Sequence, residues 1–297
     1  MPTDNCIGKD KIEQQPLSEN KVEESLAQSA SMVAPVENTD KRHCIKKRKK
    51  EGLPNNSLYY TIPDNVLIPY EKEIRDRIAN NGHRGLIDNL QRLFTEEALL
   101  PVIELYRLGS IDYRRVVYPY FDIKNQLRTI KTVMYETNGC RMKNGNSISL
   151  MHRKLKEEGV LPARWAECCC VFGEHLLTQY PDRPVFIVES EKTAIACAIL
   201  IPSYIWLATG GCGYFKQLGM IKEHLNSRIT YILPDKGQYA FWSEEARKYG
   251  LKAKVLDYLE KMDVKSNTDV ADLFFRKRRK LQISNFISYA ASLGQCE

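Results

Sequence analysis

The stretch that decides the fold is VFIVESEKTAIACAI, residues 185–199. Residues 185–188 form an unbroken apolar run of strand length, Glu189 follows directly, and residues 191–200 have a helical pattern. A buried strand that leads into a helix is the repeating unit of open α/β folds, whose ligands bind at the carboxyl ends of the strands. The pattern therefore predicts that Glu189 lies at the mouth of a parallel sheet.

Three further apolar strands follow this unit, and helices are predicted after two of them. The predicted strands are 204–208, 229–233 and 253–256, and the predicted helices are 214–224 and 239–249. Strands that alternate with helices imply right-handed crossovers and a parallel sheet. Because Asp235 stands at the end of the strand 229–233, Glu189 and Asp235 are expected at one edge of that sheet.

These residues resemble the Toprim domain shared by bacterial primases and topoisomerases. The motifs that carry the resemblance are VESEKTA at 188–194, ATGG at 208–211 and LPDKG at 233–237, with FGEHLL at 172–177 upstream. The combination is most similar to an uncharacterised family of Toprim-bearing, primase-like proteins carried by bacterial mobile elements. The resemblance covers about residues 60–280. It implies an α/β fold with a Toprim-like, mostly parallel four-stranded sheet and flanking helices.

Composition divides the chain into four parts. Residues 1–56 are polar and almost without aromatic side chains, which predicts a disordered arm with a basic end. Residues 57–165 combine helical spacings with a predicted β-hairpin, which indicates a small α+β subdomain in front of the sheet. Residues 166–282 hold the Toprim-like domain, and residues 283–297 form a tail or a helix.

The bulk composition is that of a soluble globular protein, with 43% hydrophobic and 27% charged residues. No apolar run approaches the roughly 18–20 residues that span a bilayer. The polar amino terminus also has no apolar signal-peptide core. The sequence therefore predicts a cytoplasmic protein without a membrane partner.

Positive charge is concentrated in two short runs. The net charge is +7, and the runs KRHCIKKRKK (41–50) and RKRRK (276–280) supply twelve cations without any acid. Such concentration favours contact with a polyanion, although a solvated tail and helix end would look the same. Single-stranded DNA is the expected partner, with RNA as the alternative. The residues predicted to bind nucleic acid are Arg128 and Lys131 of the hairpin and Arg276, Lys277, Arg278, Arg279 and Lys280.

The cysteines and His175 are expected to have no part in metal binding or catalysis. The nine cysteines do not form the two paired knuckles of a zinc ribbon, so no zinc is expected. A cytoplasmic location would keep the thiols reduced. His175 stands beside apolar residues, which indicates a structural role.

The paired acids point to phosphoryl chemistry, which requires Mg²⁺ held by carboxylates. By resemblance to Toprim enzymes, Glu189 takes the role of general acid or base and contributes to the metal site, and Asp235 is the principal metal ligand. The family's second acid after the third strand is replaced here, since the sequence reads Asp235-Lys236-Gly237. Gly237 removes a ligand and Lys236 adds a cation beside the ion, so the Mg²⁺ site is expected to be weak.

Two further groups of residues are candidates for the same site. Asp269 and Asp272 are three residues apart and so share a helical face, where they would serve as metal ligands, as helix-capping residues or as both. The glycines after the second strand would present backbone N–H groups to a phosphate, or would simply form a tight turn. The predicted phosphate-binding residues are Gly210, Gly211, Gly213 and Lys192.

The leading hypothesis is a primase-like protein that makes primers on single-stranded DNA by Mg²⁺-dependent nucleotidyl transfer. A helicase or a replication protein of a mobile element is the expected protein partner. The first alternative is a catalytically degenerate Toprim module that binds DNA, RNA or a replication partner. The second alternative is a Toprim nuclease.

Overall fold

The computed structural model describes residues 61–82, 84–143, 145–167, 169–275 and 279–293, with the side chains of Cys212, Arg279 and Lys280 left out. All of them belong to one unit, residues 55–297. The predicted disordered arm, residues 1–56, lies outside the described residues. So do residues 276–278 and the side chains of Arg279 and Lys280, which were predicted to bind nucleic acid.

The described chain begins with a helical region. A 3₁₀ turn at Asp64–Leu67 leads into α1 (Ile68–Ala79), and α2 (Leu86–Leu93) and α3 (Glu96–Leu105) follow. Apolar side chains at spacings of three and four residues bury one face of these helices. The buried residues include Ile74, Ile78, Leu86, Leu90, Leu99 and Ile103. The helical spacing predicted for this region is therefore observed.

An antiparallel sheet follows the helices. Its strands are β1 (Gly109–Ser110), β2 (Arg115–Phe121), β3 (Leu127–Met134) and β4 (Ile148–Leu150), in the order β1-β2-β3-β4. The short helix α4 (His152–Glu157) comes next. Strands β2 and β3 pair antiparallel, so the predicted hairpin is confirmed.

The two predicted nucleic-acid-binding cations of the hairpin, Arg128 and Lys131, bond to different groups of the protein. The pairing of β2 with β3 shifts register between Tyr120 and Phe121, so strict alternation of side chains does not extend from Arg128 to Lys131. Lys131 lies opposite Tyr118 on the face that packs into the main core. The other face, with Val117 and Ile130, packs into a second, smaller core.

The second sheet is parallel. Its strands are β5 (Val185–Val188), β6 (Ile205–Ala208), β7 (Thr230–Ile232) and β8 (Lys254–Val255), in the order β6-β5-β7-β8, and each adjacent pair is parallel. The helices around it are α5 (Leu176–Gln179), α6 (Glu191–Leu200), α7 (Phe215–Met220), α8 (Lys222–Asn226), α9 (Tyr239–Lys248), α10 (Val270–Phe274) and α11 (Arg279–Leu293). The predicted α/β fold with parallel strands and helices is confirmed.

The helical stretch predicted over 214–224 is observed but is divided into shorter pieces. The chain instead forms a 3₁₀ turn at Cys212–Tyr214, then α7 and α8, which are separated by Ile221. Gly219 lies in this stretch, and glycine lowers helix stability by about 1 kcal/mol relative to alanine. A Cβ at Gly219 would lie 2.9 Å from Cδ1 of Tyr249, so the Tyr249 ring packs where a side chain would otherwise stand.

Phe172 and Tyr106 join the two sheets. The backbone of Phe172 exchanges hydrogen bonds with Ala208 at the end of β6, and the Phe172 ring stacks on Tyr106 with centroids 5.2 Å apart. The Tyr106 hydroxyl donates to the carbonyl of Trp206 at 2.8 Å. The rings of Tyr118 and Tyr120 in β2 also pack edge-on against Phe172, with centroids 5.7 and 5.5 Å away, and these contacts hold the antiparallel sheet against the parallel one. No helix among the described residues is both long enough and apolar enough to cross a membrane.

Gly173→Ala is expected to destabilise the protein by about 2–4 kcal/mol, the sum of backbone strain and overpacking. Gly173 has φ +83°, and a Cβ there would lie 3.0 Å from both the Trp206 carbonyl oxygen and Cε1 of Tyr106. Gly159→Ala is the matched control, because Gly159 has φ +72° and no atom within 4 Å of the added Cβ. Chemical denaturation should show a clearly larger loss for Gly173→Ala. Equal losses would mean that contact with Trp206 and Tyr106 is unimportant.

Candidate active site

An acid-lined groove of about 560 Å³ lies at the carboxyl ends of the parallel strands. It contains all four carboxylates that the sequence analysis singled out, on elements that are far apart in the chain. The residues that line the groove include Glu189, Ser190, Glu191, Lys192, Gly210, Gly211, Asp235, Asp269 and Asp272. The groove therefore brings Glu189, Asp235, Asp269 and Asp272 together.

Glu189 is placed by the junction between β5 and α6. Ser190 is the N-cap of α6, and its side-chain oxygen accepts from the backbone N–H of Thr193 at 3.2 Å. Such a cap ends the extended backbone and starts the helix within one residue. Glu189 consequently stands at the end of the strand with its side chain half-buried in the groove.

Asp235 and Asp269 are brought together by two backbone hydrogen bonds. Lys236 donates its N–H to Thr268 O at 3.0 Å, and Asn267 donates to Lys236 O at 2.9 Å. Asp269 then caps α10, with its Oδ1 accepting from the N–H of Asp272 at 2.7 Å. The capping role predicted for Asp269 is confirmed, and the same bonds place its carboxylate at the groove.

Lys192 was predicted to bind phosphate, but its ammonium contacts two carboxylates of the protein. Nζ lies 3.0 Å from Oδ2 of Asp269 and 2.5 Å from Oδ1 of Asp272, and the residue is only 7% exposed. Although burial opposes the charge, these two aspartates raise the pKa of Lys192. A buried lysine on α6 needs such a counter-charge. The sequence analysis did not recognise that Lys192 would be buried and would need one.

Glu191 is a member of the groove that the sequence analysis missed. Its carboxylate accepts from Lys131 Nζ at 2.7 Å and from the hydroxyl of Tyr120. Burial favours the neutral acid, but Lys131 outweighs it and lowers the pKa of Glu191. Lys131 also donates to the carbonyl of Gly210 at 3.2 Å. The predicted nucleic-acid residue Lys131 thus joins β3 to α6 and to the β6 turn.

The glycine turn after β6 differs in detail from the predicted phosphate cradle. Gly210 has φ +78°, and a Cβ there would lie 2.7 Å from the Tyr120 hydroxyl, so only glycine fits. Its N–H donates to Glu189 O at 2.9 Å and is therefore engaged within the protein. Gly213 does not line the groove, whereas Gly211 does. Gly210 and Gly211 thus both line the groove, and phosphate binding by these glycines stays a prediction.

The residues that depart from the Toprim pattern form a structural turn. Lys236 Nζ donates to the carbonyls of Glu260 and Met262 at 2.9 and 2.8 Å, and Lys236 is not among the residues that line the groove. Gly237 has φ +87°, a conformation in which other side chains are strained. Its N–H donates to Glu260 Oε1 at 2.7 Å. Gly237, which stands in place of the second acid of the Toprim pattern, is thus at a position where the backbone conformation favours glycine.

The pKa of the Asp235 carboxyl is strongly perturbed by its surroundings. Burial, followed by the negative charges of Asp269 and Glu189, raises the pKa of Asp235 to about 8. A cation bound there would relieve the repulsion and displace the proton. The described residues contain no group of three or more His, Cys, Asp or Glu side chains arranged to hold a metal. Glu189 and Asp235 nevertheless fit Mg²⁺, which commonly uses one or two carboxylates and completes its shell with water and substrate phosphates.

Two other predicted residues lie outside the groove. Arg128 donates to Asp122 and Gln126 at 2.7 and 2.6 Å and is not among the residues that line the groove. His175 is buried, with Nε2 3.2 Å from Leu105 O and its ring 5.3 Å from that of Phe121. These contacts are consistent with the structural role predicted for His175.

His175 should make the protein less stable as the pH falls from 6.5 to 4. Burial lowers the pKa of His175 from 6.5 to about 4, so the unfolded chain binds the proton more readily than the folded one in this range. The expected loss is about 3 kcal/mol. His175→Phe keeps the ring against Phe121 but cannot titrate. Denaturation at several pH values should give a shallower slope for the variant, and equal slopes would contradict the prediction.

Comparison with known families gives one sequence match. The family model described as "Domain of unknown function (DUF6371)" matches residues 84–236, more than half of the chain, and the chain belongs to this family. The match includes β2 to β7 and ends one residue after Asp235. No curated protein matches the chain.

Comparison with solved structures finds primase catalytic cores. The DnaG catalytic core is similar with 13% identity, coverage of 75% of this chain and 77% of that one, and a TM-score of 0.46. The DnaG catalytic domain bound to single-stranded DNA has 12% identity, 78% coverage of both chains and a TM-score of 0.45. The RNA polymerase domain of Mycobacterium tuberculosis primase DnaG has 10% identity, coverage of 75% and 80%, and a TM-score of 0.45.

Proposed function

We propose that this protein is a Toprim-type, primase-like enzyme that joins nucleotides into short primers on single-stranded DNA with Mg²⁺. The observation that carries the proposal is the single groove that gathers Glu189, Asp235, Asp269 and Asp272 at the carboxyl ends of parallel strands. The motifs VESEKTA, ATGG and LPDKG support the assignment to Toprim chemistry. Their similarity to a family carried by mobile elements makes a helicase or an element's replication protein the proposed partner.

In this proposal each acid of the groove has a separate task. Mg²⁺ would neutralise charge on the phosphoryl oxygens, with Asp235 as principal ligand and Glu189 beside it. Glu189 also accepts the proton of the attacking hydroxyl, as a half-buried carboxylate at a strand end is able to do. Asp269 and Asp272 hold the ammonium of Lys192 and keep the groove negative around the metal position.

A second part of the groove wall supports a nucleic-acid ligand. Lys131, Arg141 and Lys143 line the same groove as the four acids. Arg141 and Lys143 are exposed. Exposed cations beside a metal-binding acid cluster are suited to a phosphate backbone that approaches the reacting group. Single-stranded DNA is the proposed template, and RNA is the alternative polymer.

The proposal is tested by nucleotide incorporation on a single-stranded DNA template with Mg²⁺. The full chain should produce short oligonucleotides that disappear when EDTA is added, and Glu189→Gln should reduce their yield by about 100-fold or more. Unchanged synthesis by Glu189→Gln would show that the catalytic assignment is incorrect. Metal-dependent nicking of DNA without added nucleotides would instead identify a Toprim nuclease.

A binding module without catalysis is the second candidate, and two observations favour it. Lys192 already pairs with both Asp269 and Asp272, and Gly237 stands where Toprim proteins usually carry a second acid. Such a module would bind DNA or RNA in a salt-dependent manner. Its affinity would be the same with and without Mg²⁺, and Asp235→Asn would leave it unchanged.

A further inference from the structure

Strand β4 forms an open edge of the antiparallel sheet. It is the last strand in the order β1-β2-β3-β4, and β3 is its one neighbour among the described residues. The N–H of Met151, directly after β4, donates to Ile130 O at 3.0 Å. Bonded and non-bonded residue pairs alternate in an antiparallel ladder, so Ile148 and Leu150 direct their backbone N–H and C=O groups away from β3.

The parallel sheet, by contrast, has its edge at β6 covered by the chain itself. The Phe172 backbone exchanges two hydrogen bonds with Ala208, and the Tyr106 hydroxyl bonds both the carbonyl and the N–H of Trp206. In the part of the chain that the structure describes, no comparable bond reaches the outward backbone groups of β4. An unpaired strand edge is a template on which another extended chain adds as a strand.

The side chains of β4 make this edge accessible and partly apolar. Ile148 is 40% exposed, Ser149 is exposed and Leu150 is half-buried. The side chains of Ile148 and Leu150 lie on one face of the sheet, where they line a cavity of about 230 Å³ together with Tyr120 and Tyr214. A strand added beside β4 would present every second side chain to that face, so apolar side chains at alternate positions would lie next to the cavity.

The charge around β4 favours an acidic occupant. Residues 137–156 contain five Lys or Arg residues and no Asp or Glu. Arg153 and Lys154, in α4 shortly after β4, are exposed, and neither lines the acid-lined groove. Lys154 Nζ lies 3.6 Å from Glu158 Oε1, an exposed contact that contributes little. Cations beside a strand edge attract a segment of opposite charge and determine which partner binds.

The backbone groups of this edge favour a polypeptide over a nucleic acid. Ile148 and Leu150 each offer one donor and one acceptor. A DNA backbone supplies acceptors only, so it would leave both carbonyls unpaired and facing phosphate oxygens. An extended peptide carries N–H and C=O groups at the same repeat as β4 and pairs with the donor and the acceptor of both residues.

We propose that β4 binds an acidic, extended segment of a partner protein, which joins the four-stranded antiparallel sheet as an additional edge strand. The backbone of the segment pairs with Ile148 and Leu150, and its alternate apolar side chains lie beside the cavity. Its acidic side chains contact Arg153 and Lys154. This inference does not depend on nucleotidyl transfer, so it stands or falls separately from the proposed function.

The test titrates a short capped peptide that alternates valine and glutamate into the full chain by calorimetry. Ile148→Pro should weaken binding by about 10-fold or more, because the proline ring removes an N–H of the edge and obstructs the added strand. Proline is tolerated where an edge N–H faces solvent, and Ile148→Val is the matched control that keeps the N–H. Arg153→Gln combined with Lys154→Gln should also weaken binding. The same changes at the exposed Lys252 and Lys254 should leave the affinity unchanged.

Two readouts use the wild-type chain and decide the question even if Ile148→Pro fails to fold. The peptide should slow hydrogen exchange at the amides of Ile148 and Leu150 but not at that of Ser149, which the ladder already bonds to β3. Two further peptides carry N-methyl groups on alternate residues, one on the valines and the other on the glutamates. The peptide that loses the donors facing β4 should not bind, and the other should bind. Equal binding of both would mean that charge alone attracts the peptide and would overturn the inference.

Other occupants of the edge give different results. If a single-stranded oligonucleotide displaces the peptide and Ile148→Pro weakens both ligands equally, the edge belongs to a nucleic-acid surface. If the wild type is a dimer that Ile148→Pro converts into monomers, β4 pairs with a second copy of the chain. Either result would overturn the inference, and so would the absence of detectable peptide binding to the wild type.

Discussion

Lys192→Met is expected to destabilise the protein by about 3–5 kcal/mol, the usual cost of removing one partner from a buried ion pair. Lys192 is the counter-charge of both Asp269 and Asp272, and it is almost fully buried on α6. Without it, these carboxylates repel each other and Asp235, whose pKa they already help to raise to about 8. The loss should appear as a lower midpoint in urea denaturation at pH 7.

The matched control is Lys248→Met. Lys248 also contacts a carboxylate at 2.7 Å, that of Glu245, but its side chain is 54% exposed. An exposed pair of this kind contributes little, so the control should change stability by less than about 1 kcal/mol. Replacing Asp269 and Asp272 by asparagine in the Lys192→Met background should restore much of the loss. If Lys192→Met is as stable as the control, the ion pairs of Lys192 with Asp269 and Asp272 do not stabilise the site.

The same substitution should change how the groove binds metal. With the ammonium of Lys192 removed, Asp269 and Asp272 become available as ligands. Mn²⁺ should therefore bind Lys192→Met more tightly than the wild type and recover part of its stability by mass action.

Asp235→Asn is expected to abolish detectable Mn²⁺ binding and to lower nucleotide incorporation by about 100-fold or more, the usual effect of removing one group that stabilises a transition state. Asparagine has nearly the same shape as aspartate but is a neutral, weaker ligand. The loss should be visible by calorimetry or EPR, with and without a nucleoside triphosphate. Asp263→Asn, at an exposed position outside the groove, is the matched control and should leave both measurements unchanged.

Asp235→Asn should be at least as stable to unfolding as the wild type, although it loses activity. Because the pKa of Asp235 is raised to about 8 in the folded chain, from an ordinary 3.8, the folded state holds this proton more tightly than the unfolded state. Wild-type stability in a chelator should therefore fall as the pH rises from 4 to 8, and the variant should lack this fall. A variant that unfolds readily, or that keeps its activity, would contradict a metal-binding role for Asp235.

The elements that the sequence predicted well are those specified by local patterns. The helix 191–200 and the strand 185–188 form with the predicted bounds, because a long apolar run and an N-capping serine act within a few residues. The positions of Glu189 and Asp235 at strand ends follow from the same patterns. The helical stretch predicted over 214–224 is divided at Ile221 into two short helices, and the apolar pattern does not show this division.

By itself, the sequence determined a parallel sheet with paired acids at its edge. The apolar periodicity and the alternation of strands with helices along the chain are local properties. Only the tertiary structure decided the partners of the charged side chains. Lys192 pairs with Asp272, 80 residues away, and Glu191 pairs with Lys131, 60 residues away. The acid-lined groove likewise has walls from β3 and β4 as well as from the residues that follow the parallel strands. Charge pairing and cavity shape depend on which distant segments pack together, and this is why they appear only once the chain has folded.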